Sequence, residues 1–255
     1  MDVLPGLSSL IALAIGAAVG SFLNVVIIRL PRNESVITPG SHCMACGKSI
    51  RWVDNIPVLS FLWLRGRCRQ CGGRISWRYP LVEATTALLF GLAACHLGWG
   101  LELIGAWLFL AALVAIAAID LEHQVIPDAI SLPGIAAGLA LSFVTPPPSW
   151  IDSLLGIAAG GGLPFIVIVL SRGGMGGGDI RLGALIGAFL GWQLALLSFF
   201  MAVVLGGVAA TALLIAGRKG RKDRIPFGPF LAGSGVMSLF WGDVIIRWYW
   251  SGFAP

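Results

Sequence analysis

Residues 103–120 read LIGAWLFLAALVAIAAID, an uncharged apolar run from Leu103 to Ile119 closed by Asp120. A helix needs roughly 20 mostly apolar residues to cross a hydrocarbon core, and this run is of that length. It has no polar face, so it does not encode a helix half exposed to water. A carboxylate at membrane depth is costly and marks a functional position by default. One stretch therefore suggests both the fold class and the first candidate residue.

Seven further apolar segments flank it, giving spans near 7–28, 80–98, 102–119, 129–145, 151–170, 180–191, 194–216 and 228–246. The sixth is short and abuts the seventh at Gly191-Trp192-Gln193; seven spans with one re-entrant segment is the alternative arrangement. Composition agrees: 57% of the 255 residues are hydrophobic and 11% are charged, against about 25% charged in soluble domains. Mean hydropathy is +0.90. The expected fold class is an all-α polytopic membrane protein of about eight transmembrane helices, with a small cytoplasmic four-cysteine metal-binding loop domain. The first run carries no Lys or Arg before Arg29 and is too long for a signal-peptide core, so it reads as a first span.

Charge placement orients the chain. With eight spans and the N-terminus outside, sixteen of the seventeen Lys and Arg residues fall on one face. They lie in 29–78, at Arg172 and Arg181, and in the run from Arg218 to Arg224; Arg247 is the exception. By the positive-inside rule that face is cytoplasmic, and both termini are expected on the extracytoplasmic side. The expected organisation is a first span over 1–30, a cytoplasmic loop over 31–79 and a multi-helix membrane domain over 80–255. The lipid bilayer is an expected partner and nucleic acid is not.

The loop holds Cys43-Met44-Ala45-Cys46-Gly47 and Cys68-Arg69-Gln70-Cys71-Gly72. Two such pairs can supply a tetrahedral thiolate site. Disulfides are disfavoured in a reducing compartment. Cys43, Cys46, Cys68 and Cys71 are the expected metal ligands. Zinc is the first choice, and iron in a rubredoxin-like site uses the same ligand set. Four thiolates fill a tetrahedral metal, so its expected role is structural.

Among the twelve acidic residues, Asp120, Glu122, Asp128 and Asp179 fall at inner ends of spans. Asp179 follows a glycine-rich loop with glycines at 173, 174, 176, 177 and 178. Gly176 and Gly178 would give an extended peptide room to approach. A helix-capping aspartate after a flexible turn is the plainer reading. Two carboxylates held close cannot both ionise easily and share one proton. The ionised member can activate water while the protonated one polarises a carbonyl. Asp120 and Asp179 are the candidate catalytic pair.

These residues together resemble the type IV prepilin peptidases, membrane aspartic proteases with a Gly-x-Gly-Asp motif. The motif here is Gly176-Gly177-Gly178-Asp179, and the first aspartate opens Asp120-Leu-Glu-His-Gln-Val-Ile-Pro-Asp128. Gly20-Ser21-Phe22-Leu23-Asn24, Asp54-Asn55-Ile56-Pro57, Arg78-Tyr79-Pro80-Leu81-Val82-Glu83 and Ile225-Pro226-Phe227-Gly228-Pro229 also match. The resemblance implies a bacterial inner-membrane enzyme that removes the short basic leader of prepilins or pseudopilins through Asp120 and Asp179. It also implies N-methylation of the new terminus with S-adenosylmethionine. It associates the cysteine loop with methylation and makes Glu83 a candidate cofactor-binding residue. Arg181 stands where many relatives have lysine. Rival readings are another Gly-x-Gly-Asp intramembrane protease, a proton-coupled transporter using its aspartates, and a noncatalytic scaffold with a zinc knuckle.

Overall fold

In the computed structural model the apolar runs are helices. α1 covers Pro5–Arg29, α2 Leu59–Trp63, α3 Arg78–Leu97, α4 Leu101–His123, α5 Asp128–Leu141, α6 Trp150–Leu170, α7 Gly177–Ile215 and α8 Gly228–Ser251. The structure describes residues 5–145, 147–171, 176–217, 220 and 225–252, with only the backbone of Pro5 and Gly6. Arg172, Gly173 and Gly174, and all five basic residues of the run at 218, 219, 221, 222 and 224, lie outside the described residues. Among the described residues, regular structure is helical apart from two isolated bridges, His42 with Ser49 and Arg67 with Arg74. Among the described residues six helices (α1, α3, α4, α6, α7 and α8) are long and apolar enough to cross a membrane, and α5 is a shorter apolar helix.

The chain forms two compact units, Met1–Ala115 and Ile116–Pro255, so α4 contributes to both. In the first unit α1 and α3 pack through small residues. Gly16, Gly20 and Asn24 recur every four residues and so share one face of α1. A methyl at Gly16 would lie 2.7 Å from Ala87 Cα, and one at Gly20 would lie 2.7 Å from Glu83 Cα. Asn24 Nδ2 donates to Tyr79 O at 3.1 Å, adding a polar tie. Close approach over glycine with a hydrogen bond across helices is a usual solution in lipid, where apolar burial gives no advantage. On α4, Trp107 stacks on Phe90 with ring centroids 5.0 Å apart and donates its indole N–H to Phe90 O.

In the second unit α6 and α7 meet over glycines on both sides. A methyl at Gly156 or Gly160 would collide with the carbonyl oxygens of Gly187 and Gly183. Ser153 Oγ donates to Ala188 O at 2.9 Å. These pairings run antiparallel. α7 is not one rod: its 39 residues would span about 58 Å at 1.5 Å per residue, about twice a hydrocarbon core. Gly191, at φ 79 and ψ 175, interrupts it in a region only glycine enters easily.

The chain doubles back there. Ser198 bonds Ser238, and Gly206 packs against Phe227 and Phe230, so the second limb of α7 lies antiparallel to α8. The start of α8 touches Asp120, which interacts electrostatically with Asp179 at the start of the first limb. Residues 179 and 206 would be about 40 Å apart on a straight helix. All eight expected segments therefore lie in helices, two of them as the limbs of α7. The expected three-residue connection at 191–193 is a single glycine break. α4 also runs past Ile119 to His123, which shortens the expected connection at 120–128 to four residues.

Candidate functional site

Asp120 lies in the last turn of α4 and Asp179 in the first turn of α7. Both are buried, each 6% exposed, and they interact electrostatically. Asp120 Oδ2 accepts from the backbone N–H of Gly228, the first residue of α8, at 2.9 Å. Helix N-termini present such N–H groups to anions. Asp179 Oδ2 accepts from Gly176 N–H at 3.1 Å. The capping reading of Asp179 is therefore realised, and it coexists with proximity to a second carboxylate.

The other inner-end acids are disposed differently. Asp128, half exposed, forms an ion pair with Arg181. Glu122 is exposed and lies 4.0 Å from His123. Of the four candidates, Asp120 and Asp179 are the two that are buried near one another.

The turn before α7 is fitted against the turn after α4. A Cβ on Gly178 would stand 2.8 Å from Ile126 Cβ, and Ile126 is buried. Among the described residues nothing lies within 4 Å of a Cβ placed on Gly177, while Gly176 faces Asp179 Oδ2. Gly178 thus allows two turns to touch, and Gly177 offers open space. Sequence reading missed Gly228 and Ile126 as site residues. Both stand in quoted motifs, but nothing local to either motif says that it reaches an aspartate or a glycine turn elsewhere in the chain.

The four loop cysteines converge. Their Sγ atoms all lie within 4.8 Å of one another, and none is in a disulfide. Zinc–sulfur bonds of about 2.3 Å set tetrahedral sulfur separations of about 3.8 Å; Cys43 and Cys71 are 3.9 Å apart. The two knuckles repeat one geometry. Gly47 N–H donates to Cys43 O at 2.8 Å, and Gly72 N–H to Cys68 O at 2.9 Å. Gly47 and Gly72 sit at φ 69 and 70, where a side chain would be strained. Backbone N–H groups of Cys46 and Ala45 bring the Cys43 thiol down to about 6, whereas the neighbouring cysteine thiols and burial push Cys71 up to about 11. The donor set fits zinc.

Glu83 is buried on α3, away from water. Its Oε2 accepts from Val58 N–H at 2.7 Å, and Ser21 also bonds it. It therefore has a structural partner in the loop. The loop is further pinned by Arg29, whose guanidinium donates to Ser35 O and Gly40 O, and by the Arg69–Asp54 pair at 2.7 Å.

Residues 14–97 match the Bacterial Peptidase A24 N-terminal domain, and residues 107–211 match the Type IV leader peptidase family. A prepilin leader peptidase/N-methyltransferase of Bacillus subtilis is 36% identical over 92% of this chain and 94% of its own. One from Myxococcus xanthus is 44% identical over 81% of this chain and 63% of its own. One from Aeromonas hydrophila is 37% identical over 92% and 91%. No solved structure matches the chain.

Proposed function

The chain belongs to the type IV leader peptidase family, and from that premise we propose that Asp120 and Asp179 cleave the leader from type IV prepilins or pseudopilins. In the same reading the enzyme then N-methylates the exposed terminus, with S-adenosylmethionine as the methyl donor. Its relatives carry both activities in their names. The observation that carries the peptidase assignment is the buried electrostatic pairing of Asp120 with Asp179.

In the proposed step the ionised aspartate takes a proton from water as the water oxygen attacks the scissile carbonyl. The protonated aspartate donates to the developing oxyanion. The leaving amine gains a proton as the carbon–nitrogen bond breaks. Gly228 N–H and Gly176 N–H hold the two carboxylates in register for this exchange. The glycines at 176–178 form the peptide approach, an idea supported by the open side of Gly177. S-adenosylmethionine, when bound, would supply the methyl group for the new terminal nitrogen, which would give up a proton. Cys43, Cys46, Cys68 and Cys71 would hold zinc, whose filled shell gives the loop rigidity and takes no step in either reaction. Glu83 remains the candidate on the methylation side; its bond to Val58 supports a positioning role.

The charge distribution supports a cytoplasmic location for the aspartates and the loop over 31–79, in a multi-pass inner-membrane protein with both termini outside. The domain over 80–255 would then carry the peptidase. Purified protein in lipid, given a prepilin with and without S-adenosylmethionine, tests the proposal. Cleavage that survives in Asp120→Asn or Asp179→Asn would falsify the pair.

A further inference from the structure

The five-residue helix α2 turns apolar side chains outward. Leu59, Leu62 and Trp63 stand at i, i+3 and i+4, so they share one helix face. They are 65%, 60% and 83% exposed. Phe61 points the opposite way, buried, with its ring edge-on to Trp77 at 4.8 Å and over Gly66. The loop's own core is therefore already occupied by Phe61, and the stripe is a separate surface. Trp52 and Ile56, both exposed, extend it.

The stripe lies beside a span. Val58, just before α2, donates its N–H to Glu83 Oε2. Glu83 is five residues beyond Arg78, the start of α3, or about 7.5 Å further along the helix. The turn there is strained. Leu59 N–H bonds Pro57 O at 2.6 Å, and Val58 has φ 61 and ψ −49, a conformation rare for a β-branched residue. Strain of this kind persists where surroundings impose it, and the Glu83 carboxylate does so. Val58 is thus tied to the second turn of α3.

Charge completes the surface. Residues 31–79 carry eight Lys and Arg against Glu34 and Asp54, and Asp54 is paired with Arg69. Arg51, Arg65 and Arg67, all exposed, flank α2. Trp and Leu on one face, rimmed by arginine and tethered to spans at both ends, suit a bilayer interface rich in anionic headgroups.

We propose that α2 with Trp52 is an interfacial anchor that inserts Leu59, Leu62 and Trp63 among anionic lipid headgroups and holds the cysteine cluster against the membrane surface. The proposal stands independently of the peptidase reading.

The test uses the full chain in vesicles of phosphatidylcholine with phosphatidylglycerol, with and without bromine on the acyl chains near the headgroup. The emission that disappears in Trp63→Phe isolates Trp63. That component should lose about half its intensity or more in brominated vesicles, as for indoles in the interface. An unquenched Trp63 overturns the proposal, and so does crosslinking of two copies through α2, which would assign the stripe to a second chain. Hydrogen exchange of residues 56–63 should be slower with phosphatidylglycerol than in phosphatidylcholine alone. The difference should vanish in Arg51→Gln/Arg65→Gln/Arg67→Gln. Equal exchange in both lipids for the unmodified chain rejects the anionic partner.

Discussion

The backbone N–H of Gly228 donates to Oδ2 of Asp120 at 2.9 Å, joining residues 108 apart in the chain. The contact is close enough to exclude a side chain: a Cβ at Gly228 would lie 2.5 Å from that oxygen. Gly228→Ala should displace the carboxylate and leave α8 intact, because alanine is a good helix residue. Prepilin cleavage should fall by about 10²-fold, the scale of a misplaced catalytic group. A kcat/KM equal to that of the unmodified enzyme, with the helical spectrum retained, rejects this coupling.

Asp179→Asn keeps the cap, since an asparagine oxygen can still accept from Gly176 N–H. It removes the ionisable oxygen. Asp179→Asn and Asp120→Asn should each lower cleavage by about 10³-fold or more, within the range for lost acid–base groups. Thermal unfolding should change little. Methylation of a pre-cleaved substrate should persist in both variants.

Gly178 and Gly177 differ in their surroundings despite being neighbours. Gly178→Ala sets a methyl 2.8 Å from Ile126 Cβ, whereas Gly177→Ala meets nothing within 4 Å among the described residues. The first should impair cleavage and lower the unfolding temperature; the second should leave stability unchanged. Removing the opposing Cβ with Ile126→Gly should restore part of the catalytic loss in Gly178→Ala. Failure of that rescue would show that the Gly178–Ile126 contact is not the cause.

The cysteine cluster should bind one equivalent of zinc by elemental analysis. Cys46→Ser or exhaustive chelation should remove it. Methylation should then drop sharply while cleavage continues, because the aspartates lie in the other compact unit. One equivalent of iron in the native protein would overturn the metal assignment and leave the structural role of the cluster unchanged.

Arg69 hydrogen-bonds Asp54 and holds its carboxyl below the usual carboxylate range. A carboxylate with a depressed folded pKa stabilises above its unfolded value, about 3.9, and loses that contribution as pH falls through the folded value. Exchange protection of residues 51–72 should therefore be higher in the unmodified chain than in Asp54→Asn at neutral pH. The difference should shrink as the medium is acidified below pH ~4. A difference that persists well below that range points to packing instead of charge.

The helices were legible because run length and apolarity are local properties. Leu103–Ile119 has no polar face to turn toward water, so helix and bilayer follow from the chain alone. The cysteine pairs were legible for a similar reason, since each knuckle closes within five residues around a glycine at positive φ. The depth of Asp120 and Asp179 followed from their places at run ends. The interaction between them did not, because they sit on α4 and α7, and no local pattern fixes how two helices rotate against each other. Gly191 shows the same limit. The sequence offered a three-residue connection or a re-entrant segment, and one glycine at φ 79 reverses the chain.

By itself, then, the sequence determined what must lie in lipid, which thiols can share a metal and which acids are costly enough to matter. The tertiary structure decided that Asp120 is buried within electrostatic reach of Asp179 and bonded to the first N–H of α8, and that Asp128 is taken by Arg181. It also decided that Gly178 serves a contact with Ile126. The physical reason is that burial in a bilayer is set residue by residue. Contacts between helices depend instead on which small residues let two backbones approach, as at Gly156–Gly187 and Gly160–Gly183.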